Sequence, residues 1–299
     1  MDTPGIWEDT ERWRGRVERW RSTRLENLTA PGGWLSVVGL WWLHEGTNTI
    51  GSSEACDVVL PGGAAPTVAG TIELADGRAI LRADPGSGMR LRGEPVGAIP
   101  LSDGWEGEAP TRIRIGTVSF HLIRREDQLA VRVRDSESDA RRTFTGIEHY
   151  PVDERWRLRA RFEPAEGPGE AVVPAVAGPG ERYAVPGVAV FEVDGIPGSH
   201  RLTAFLEAPD DDLFFVFGDA TSGTETYGGG RFLYAPQADE GAAIELDFNR
   251  AYNPPCVFTP FATCPVPLPE NRLRIRVEAG ELVYRQGSTP AGEPPNPSG

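Results

Sequence analysis

The chain has 299 residues, 39% of them apolar and 9% aromatic, enough for one large domain or two small ones with a real core. A net charge of −14 makes nucleic acid and anionic membrane poor partners, and no run reaches the ~18 apolar residues of a membrane-spanning helix. All 30 basic residues are arginine, which excludes Schiff-base, pyridoxal-phosphate and lysine-dependent P-loop chemistry.

Met1 is followed by an acidic, tryptophan-containing segment and not by a signal-peptide pattern, so the expected location is cytoplasmic. Thr3-Pro4 is a helix start, a capping hydroxyl followed by proline at the first helical position. Trp7, Trp13, Val17, Trp20, Leu25 and Leu28 then recur at helical spacing among arginine and glutamate. The pattern predicts an amphipathic helix whose tryptophan stripe packs on the body of the fold. Pro31-Gly32-Gly33 ends it. Trp34 to Leu43 is the most apolar run of the chain and reads as core.

From about residue 48 onward the pattern is almost wholly β, with short β-rich runs separated by turn residues. Three stretches alternate cleanly with arginine: Trp156 to Phe162, Val131 to Arg134, and Arg272 to Val277. Each reads as a strand with one apolar and one arginine face. The arginine faces suit cross-strand pairing with the acidic excess, and an anion-binding face is the sharper alternative. The expected fold is mainly β, with antiparallel sheets forming a sandwich or barrel beside one N-terminal amphipathic helix. The expected division is a helix over 1–30, a small β unit over 31–108, a main β domain over 109–287 and a disordered tail over 288–299.

Functional residue types crowd between Gly218 and Glu281, where six prolines bend the chain between Pro254 and Pro269. Asp219 and Asp247 can divide acid and base work, although Asp219 also suits an ordinary turn. The register of Asp247, opposite Leu246 and Phe248, equally suits a solvated position. Glu281, after Gly280, reads as a hairpin turn. Arg231 sits in the apolar strand Phe232-Leu233-Tyr234. It must meet either an internal carboxylate, Asp219 or Asp247, or an anionic ligand. Thr226, Tyr227, Asn249, Tyr252 and Asn253 supply further hydrogen-bonding groups.

Cys264, before Pro265, is a candidate nucleophile without a histidine or lysine nearby. Cys256 and Cys264, eight apart, read as two small buried side chains, with a local disulfide or a reactive thiol as the alternatives. His44, His121, His149 and His200 show no ligand spacing, so neither a metal nor a cofactor is expected. The functional expectation is a hydrolase- or lyase-type enzyme, or a binder, for an anionic or polar small molecule in a cleft built by residues 218–281. The alternative is a non-catalytic scaffold or protein-interaction module in which the same residues form an internal polar network.

Asp219-x-Thr221-x-Gly223-x-x-Thr226-Tyr227-x-x-Gly230-Arg231-Phe232-Leu233 is followed by Asp247-Phe248-Asn249-x-x-Tyr252-Asn253-Pro254-Pro255-Cys256 and Thr263-Cys264-Pro265. Asn271-x-Leu273 and Ala279-Gly280-Glu281 complete a pattern that resembles the bacterial family called domain of unknown function 1684, over roughly residues 11 to 286. The resemblance implies no particular activity. Gly46 to Ser52, Cys56 to Leu60 and Gly70-Thr71-Ile72 are similar to the first strands of a forkhead-associated β-sandwich, a module that reads phosphothreonine. The position after Gly51 is Ser52 instead of arginine, and no histidine lies between Leu60 and Gly70. The resemblance therefore implies the fold of that segment and not phosphopeptide binding.

Overall fold

The computed structural model describes residues 9–105, 107–176, 180–237 and 243–285. The expected helix start at Thr3-Pro4, Trp7 and the tail over 288–299 lie outside the described residues. The chain divides into two compact units, one of 1–27, 143–257 and 263–299, the other of 28–142 and 258–262. The second unit thus continues past residue 108 and also takes five residues of the proline-rich loop.

The fold is mainly β, with three sheets and an N-terminal helix over Thr10–Thr29. In the 28–142 unit a six-stranded sheet runs in the order Val37–Trp42, Gln128–Asp135, Val118–Arg125, Ile113–Ile115, Arg90–Leu91 and Glu94–Pro95. A five-stranded sheet runs Val58–Val59, Gly46–Gly51, Gly70–Ala75, Arg78–Ala83 and Ala98–Leu101. Ile50, Ile72 and Leu81 of one sheet and Phe120, Val131 and Val133 of the other share a single buried cluster, the core of a sandwich. Arg132, on the arginine face of its strand, is itself buried and lies over the Trp34 ring at 4.9 Å.

In the other unit one antiparallel sheet runs Arg231–Ala235, Leu213–Phe217, Ile196–Leu206, Glu181–Val193, Arg157–Val173 and Ala243–Asp247. It curls until its outer strands approach. Just after its last strand, Tyr252 exchanges two 2.9 Å backbone hydrogen bonds with Phe232 of the first. Leu158, Ala160, Leu202, Phe215, Phe217 and Leu246 fill the interior. On the outer face, Arg157 meets Glu245 at 3.1 Å and Arg201 meets Glu163 at 2.7 Å. Arg157 and Arg201 are thus held by pairing with acids across strands.

The Arg272 to Val277 stretch departs from the expected strand. It runs irregularly beside Gly218 and Ala220, the Leu273 amide donating to the Gly218 carbonyl and the Ala220 amide to the Ile275 carbonyl. The amide of Val277 is then diverted to the Asp219 carboxylate at 2.8 Å. A side chain thus takes the donor that a neighbouring strand would otherwise use, and no ladder continues.

Asp9 caps the helix, its carboxylate accepting from the Glu11 and Arg12 amides. Trp13 and Val17 are fully buried, and Arg16 pairs with Glu245 at 2.6 Å. The Trp13 indole N–H donates to Asp247 Oδ2 at 2.8 Å, joining positions 234 residues apart. Trp13→Phe keeps the apolar area but leaves that carboxylate one donor short. A loss of about 1–3 kcal/mol is expected in urea denaturation, and a change within error would show that the contact is dispensable.

Candidate functional site

Three buried carboxylates organise the residues singled out in the sequence. Gly230, with φ of +90°, immediately precedes the strand that Arg231 begins; a side chain there would meet Pro267 Cγ at 2.4 Å and the Phe217 carbonyl at 2.7 Å. Arg231 is fully enclosed. It donates to Asp219 Oδ1 at 3.3 Å, to the Val277 carbonyl at 3.0 Å and to the Ala279 carbonyl, with Phe217 beneath the guanidinium. Asp219 also accepts from the Thr221 amide and hydroxyl, the Ser222 hydroxyl and the Val277 amide. Thr226 joins through its hydroxyl, 2.9 Å from that of Thr221. The internal pair, and not an open anion site, is what Arg231 makes.

Asp247 is buried as well, although its strand register suited solvation. The N-terminal helix covers the face that the sequence left open. Its Oδ1 accepts from the Asn249 amide and side chain, and Asn249 in turn clasps the backbone N–H and C=O of Asp153. Glu281 is equally enclosed, accepting from Arg24 at 2.9 Å and from the Asn253 amide at 2.7 Å. Arg24 lies over the Tyr252 ring at 4.3 Å, and the Asn253 side chain donates to the Leu282 carbonyl. Asp219, Asp247, Arg231, Thr226, Asn249, Tyr252 and Asn253 therefore hold backbone and helix in place, through three separate centres. Each acid has its own arginine: Arg231, Arg250 at 3.5 Å, and Arg24.

Two other places offer chemistry to solvent. The first joins Tyr227, Cys256 and Cys264. The Tyr227 ring folds over Gly229, where any Cβ would lie 2.4 Å from it. Cys256 Sγ lies 3.6 Å from Tyr227 Oη, and the Cys256 amide donates to Cys264 Sγ at 3.2 Å. Cys264 is buried and Cys256 is partly exposed; neither is in a disulfide. Hydrogen bonding from Cys264, and then from Tyr227, brings the Cys256 thiol down to about 7 against the opposing effect of burial. Burial, reinforced by Cys256, pushes Tyr227 up to about 12, so the phenol stays protonated and can donate to a thiolate. The candidate nucleophile Cys264 is thus the sheltered member of a pair, and Cys256, read first as a small buried side chain, is the accessible one.

The second is a cavity of about 490 Å³ lined by Gly146, Glu148, Tyr150, Thr224, Glu225 and Leu282 to Arg285. Backbone bonds from Leu282 to Glu148 and from Val283 to Glu225 fix its walls. The Tyr150 hydroxyl donates to Glu225 Oε2 at 2.7 Å, and Arg276 grips the same carboxylate. Both donors hold Glu225 below the usual carboxylate range. Burial and that neighbouring carboxylate raise Tyr150. Arg285 has no hydrogen bond or ion pair among the described residues. It follows the signature block, so the block's spacing gave no signal for it. Among the described residues no group of three or more histidine, cysteine, aspartate or glutamate side chains could hold a metal ion.

A family model described as "Protein of unknown function (DUF1684)" matches residues 142–282. The chain belongs to this family through that segment. The DUF1684 match is shorter than the 11–286 likeness expected from the motifs, and it contains all three carboxylates, the thiol pair and most of the cavity wall. Among solved structures, an uncharacterised protein of Haloarcula marismortui, determined in solution, is 33% identical over 48% of this chain and 78% of its own, with a TM-score of 0.41. A structure from a study of phosphothreonine-dependent FHA domain interactions is 22% identical over 32% of this chain and 92% of its own, with a TM-score of 0.23. Both TM-scores are too low to carry an argument about fold or function. Among curated proteins there is no match.

Arg231→Ala strands the Asp219 carboxylate in the interior and is expected to cost about 3–5 kcal/mol in urea denaturation. Pairing it with Asp219→Asn should cost less than the sum of the single changes, and additive losses would show that the two groups do not act together. His149 is held down to about 4, chiefly by burial and then by Arg21. Its folded form therefore refuses the proton that the unfolded form takes near pH 6.5. Stability falls as pH drops from about 6.5 to about 4, by about 2–3 kcal/mol. His121, also depressed by burial, adds a slope of the same sign. His149→Gln should flatten its share of that pH dependence, and an unchanged slope would contradict the assignment.

Proposed function

We propose that the DUF1684 segment is a small-molecule binding domain whose ligand occupies the cavity between Tyr150, Glu225 and Arg285. The observation that carries this reading is a guanidinium, Arg285, with no partner among the described residues, on the wall of a cavity of about 490 Å³, within the size range of small-ligand sites. A guanidinium offers a planar fork of donors to a carboxylate or phosphate. Glu148 and Glu225 on the same wall accept from hydroxyl or amine groups. The ligand class is thus an anionic small molecule that also carries hydrogen-bond donors.

Binding fits the cavity better than turnover. Glu225 is held ionised by Arg276 and Tyr150, and the Tyr150 phenol is committed to Glu225, so neither is poised to exchange a proton near neutral pH. The buried network beneath serves as the rigid support that such a site needs. The hydrolase or lyase alternative would require a reacting group that these residues do not supply.

Thermal-shift measurements with a panel of small carboxylates, phosphate esters and amino acids test the reading. At least one class should raise the melting temperature of the wild-type protein. Arg285→Ala should lose that rise while keeping the unliganded melting temperature. A panel without effect, or an equal rise in the variant, would remove the cavity as the site.

A further inference from the structure

Cys256 and Cys264 stand apart from the cavity residues and from the carboxylate networks. Their sulfurs are brought to one place by the turn over Pro255–Val257 on one side and by the backbone bonding of Cys264 to Val176 and of Val266 to Pro174 on the other. Cys264 Sγ sits 3.2 Å from the Cys256 amide, so the buried sulfur is already seated against the residue that it would have to bond. Cys256 is the accessible partner, and the Tyr227 hydroxyl is placed to donate to its sulfur in the ionised form. A buried thiol behind an exposed one, with a proton donor on the exposed sulfur, is the arrangement for stepwise thiol–disulfide exchange.

We propose that Cys256 and Cys264 are a reactive dithiol that takes low-molecular-weight disulfides as its co-substrate, with Cys256 the attacking thiol, Cys264 the resolving thiol and Tyr227 the residue that holds the Cys256 thiolate. The Cys256 thiolate attacks one sulfur of the small disulfide. A sulfur–sulfur bond to Cys256 forms, the original bond breaks, and one small thiolate leaves. Cys264 then gives its proton to solvent, and its sulfur attacks Cys256. This step forms the Cys256–Cys264 bond and expels the second small thiolate. The protein loses two electrons and two protons, and the small disulfide becomes two thiols. The third cysteine, Cys56, is buried in the 28–142 unit and hydrogen-bonded to the Thr67 carbonyl, so it serves as an internal reference.

The full-length protein, fully reduced, would be mixed with oxidised glutathione, alkylated and digested with trypsin. Both cysteines lie in the peptide from Ala251 to Arg272, so the closed bond appears as a loss of two hydrogens with no alkylation in that peptide. Cys264→Ser should stop at a stable glutathione adduct on Cys256. Cys256→Ser should form no adduct under native conditions. Tyr227→Phe, with its fold checked by circular dichroism, should move the pH midpoint of Cys256 alkylation upward from about 7 by about one unit, a roughly fivefold slower reaction at neutral pH. Full alkylation of both thiols in the native protein, while the urea-unfolded protein oxidises under the same conditions, would overturn the proposal. An adduct found first on Cys264, or a midpoint unchanged in Tyr227→Phe, would overturn the assigned roles.

Discussion

Three acids without access to water govern how the C-terminal unit is built. Asp219, Asp247 and Glu281 are fully enclosed, and an ionised carboxylate in such surroundings persists only when donors occupy its lone pairs. Each is answered by an arginine together with backbone amides or the hydroxyls, amide and indole of nearby side chains. Those demands dictate the irregular course of 272–277, the clasp of Asn249 on Asp153 and the seat of the N-terminal helix. With no lysine in the chain, every answering cation is a planar, permanently charged fork. Such a group cannot neutralise itself to escape burial, so its geometry has to be met.

The separation of supporting residues from accessible ones follows from the same constraint. The polar groups with the strongest sequence signal are consumed in holding loops and strands together. Among the places that remain open to solvent are a cavity walled by Tyr150, Glu225 and Arg285, and a thiol pair beside Tyr227.

Much of the architecture was legible from residue patterns. Alternation of Leu158 and Ala160 with arginines placed a strand correctly, because a two-residue period is a local property of the chain. The crowding of polar residues after Gly218, read first as a cleft and alternatively as an internal network, lies in a region of dense hydrogen bonding. Local patterns failed where the partner is remote. Nothing around Asp247 announces that Trp13 covers it, so its register suited solvent. Nothing around Arg272 to Val277 announces that Asp219 captures an amide there. Cys256 was undervalued for a similar reason, since its perturbation comes from Cys264 and Tyr227 and not from a charged neighbour.

The bond between Trp13 and Asp247 also sets an order of events during synthesis. Asp247 leaves the ribosome 234 residues after Trp13, roughly 10–50 s later at ordinary rates of elongation. Through that interval the first helix has its tryptophan face and no strand to cover. The helix is thus made well before it can be secured, and the nascent chain depends on its arginine- and glutamate-rich opposite face, or on a chaperone, to keep that surface from sticking elsewhere.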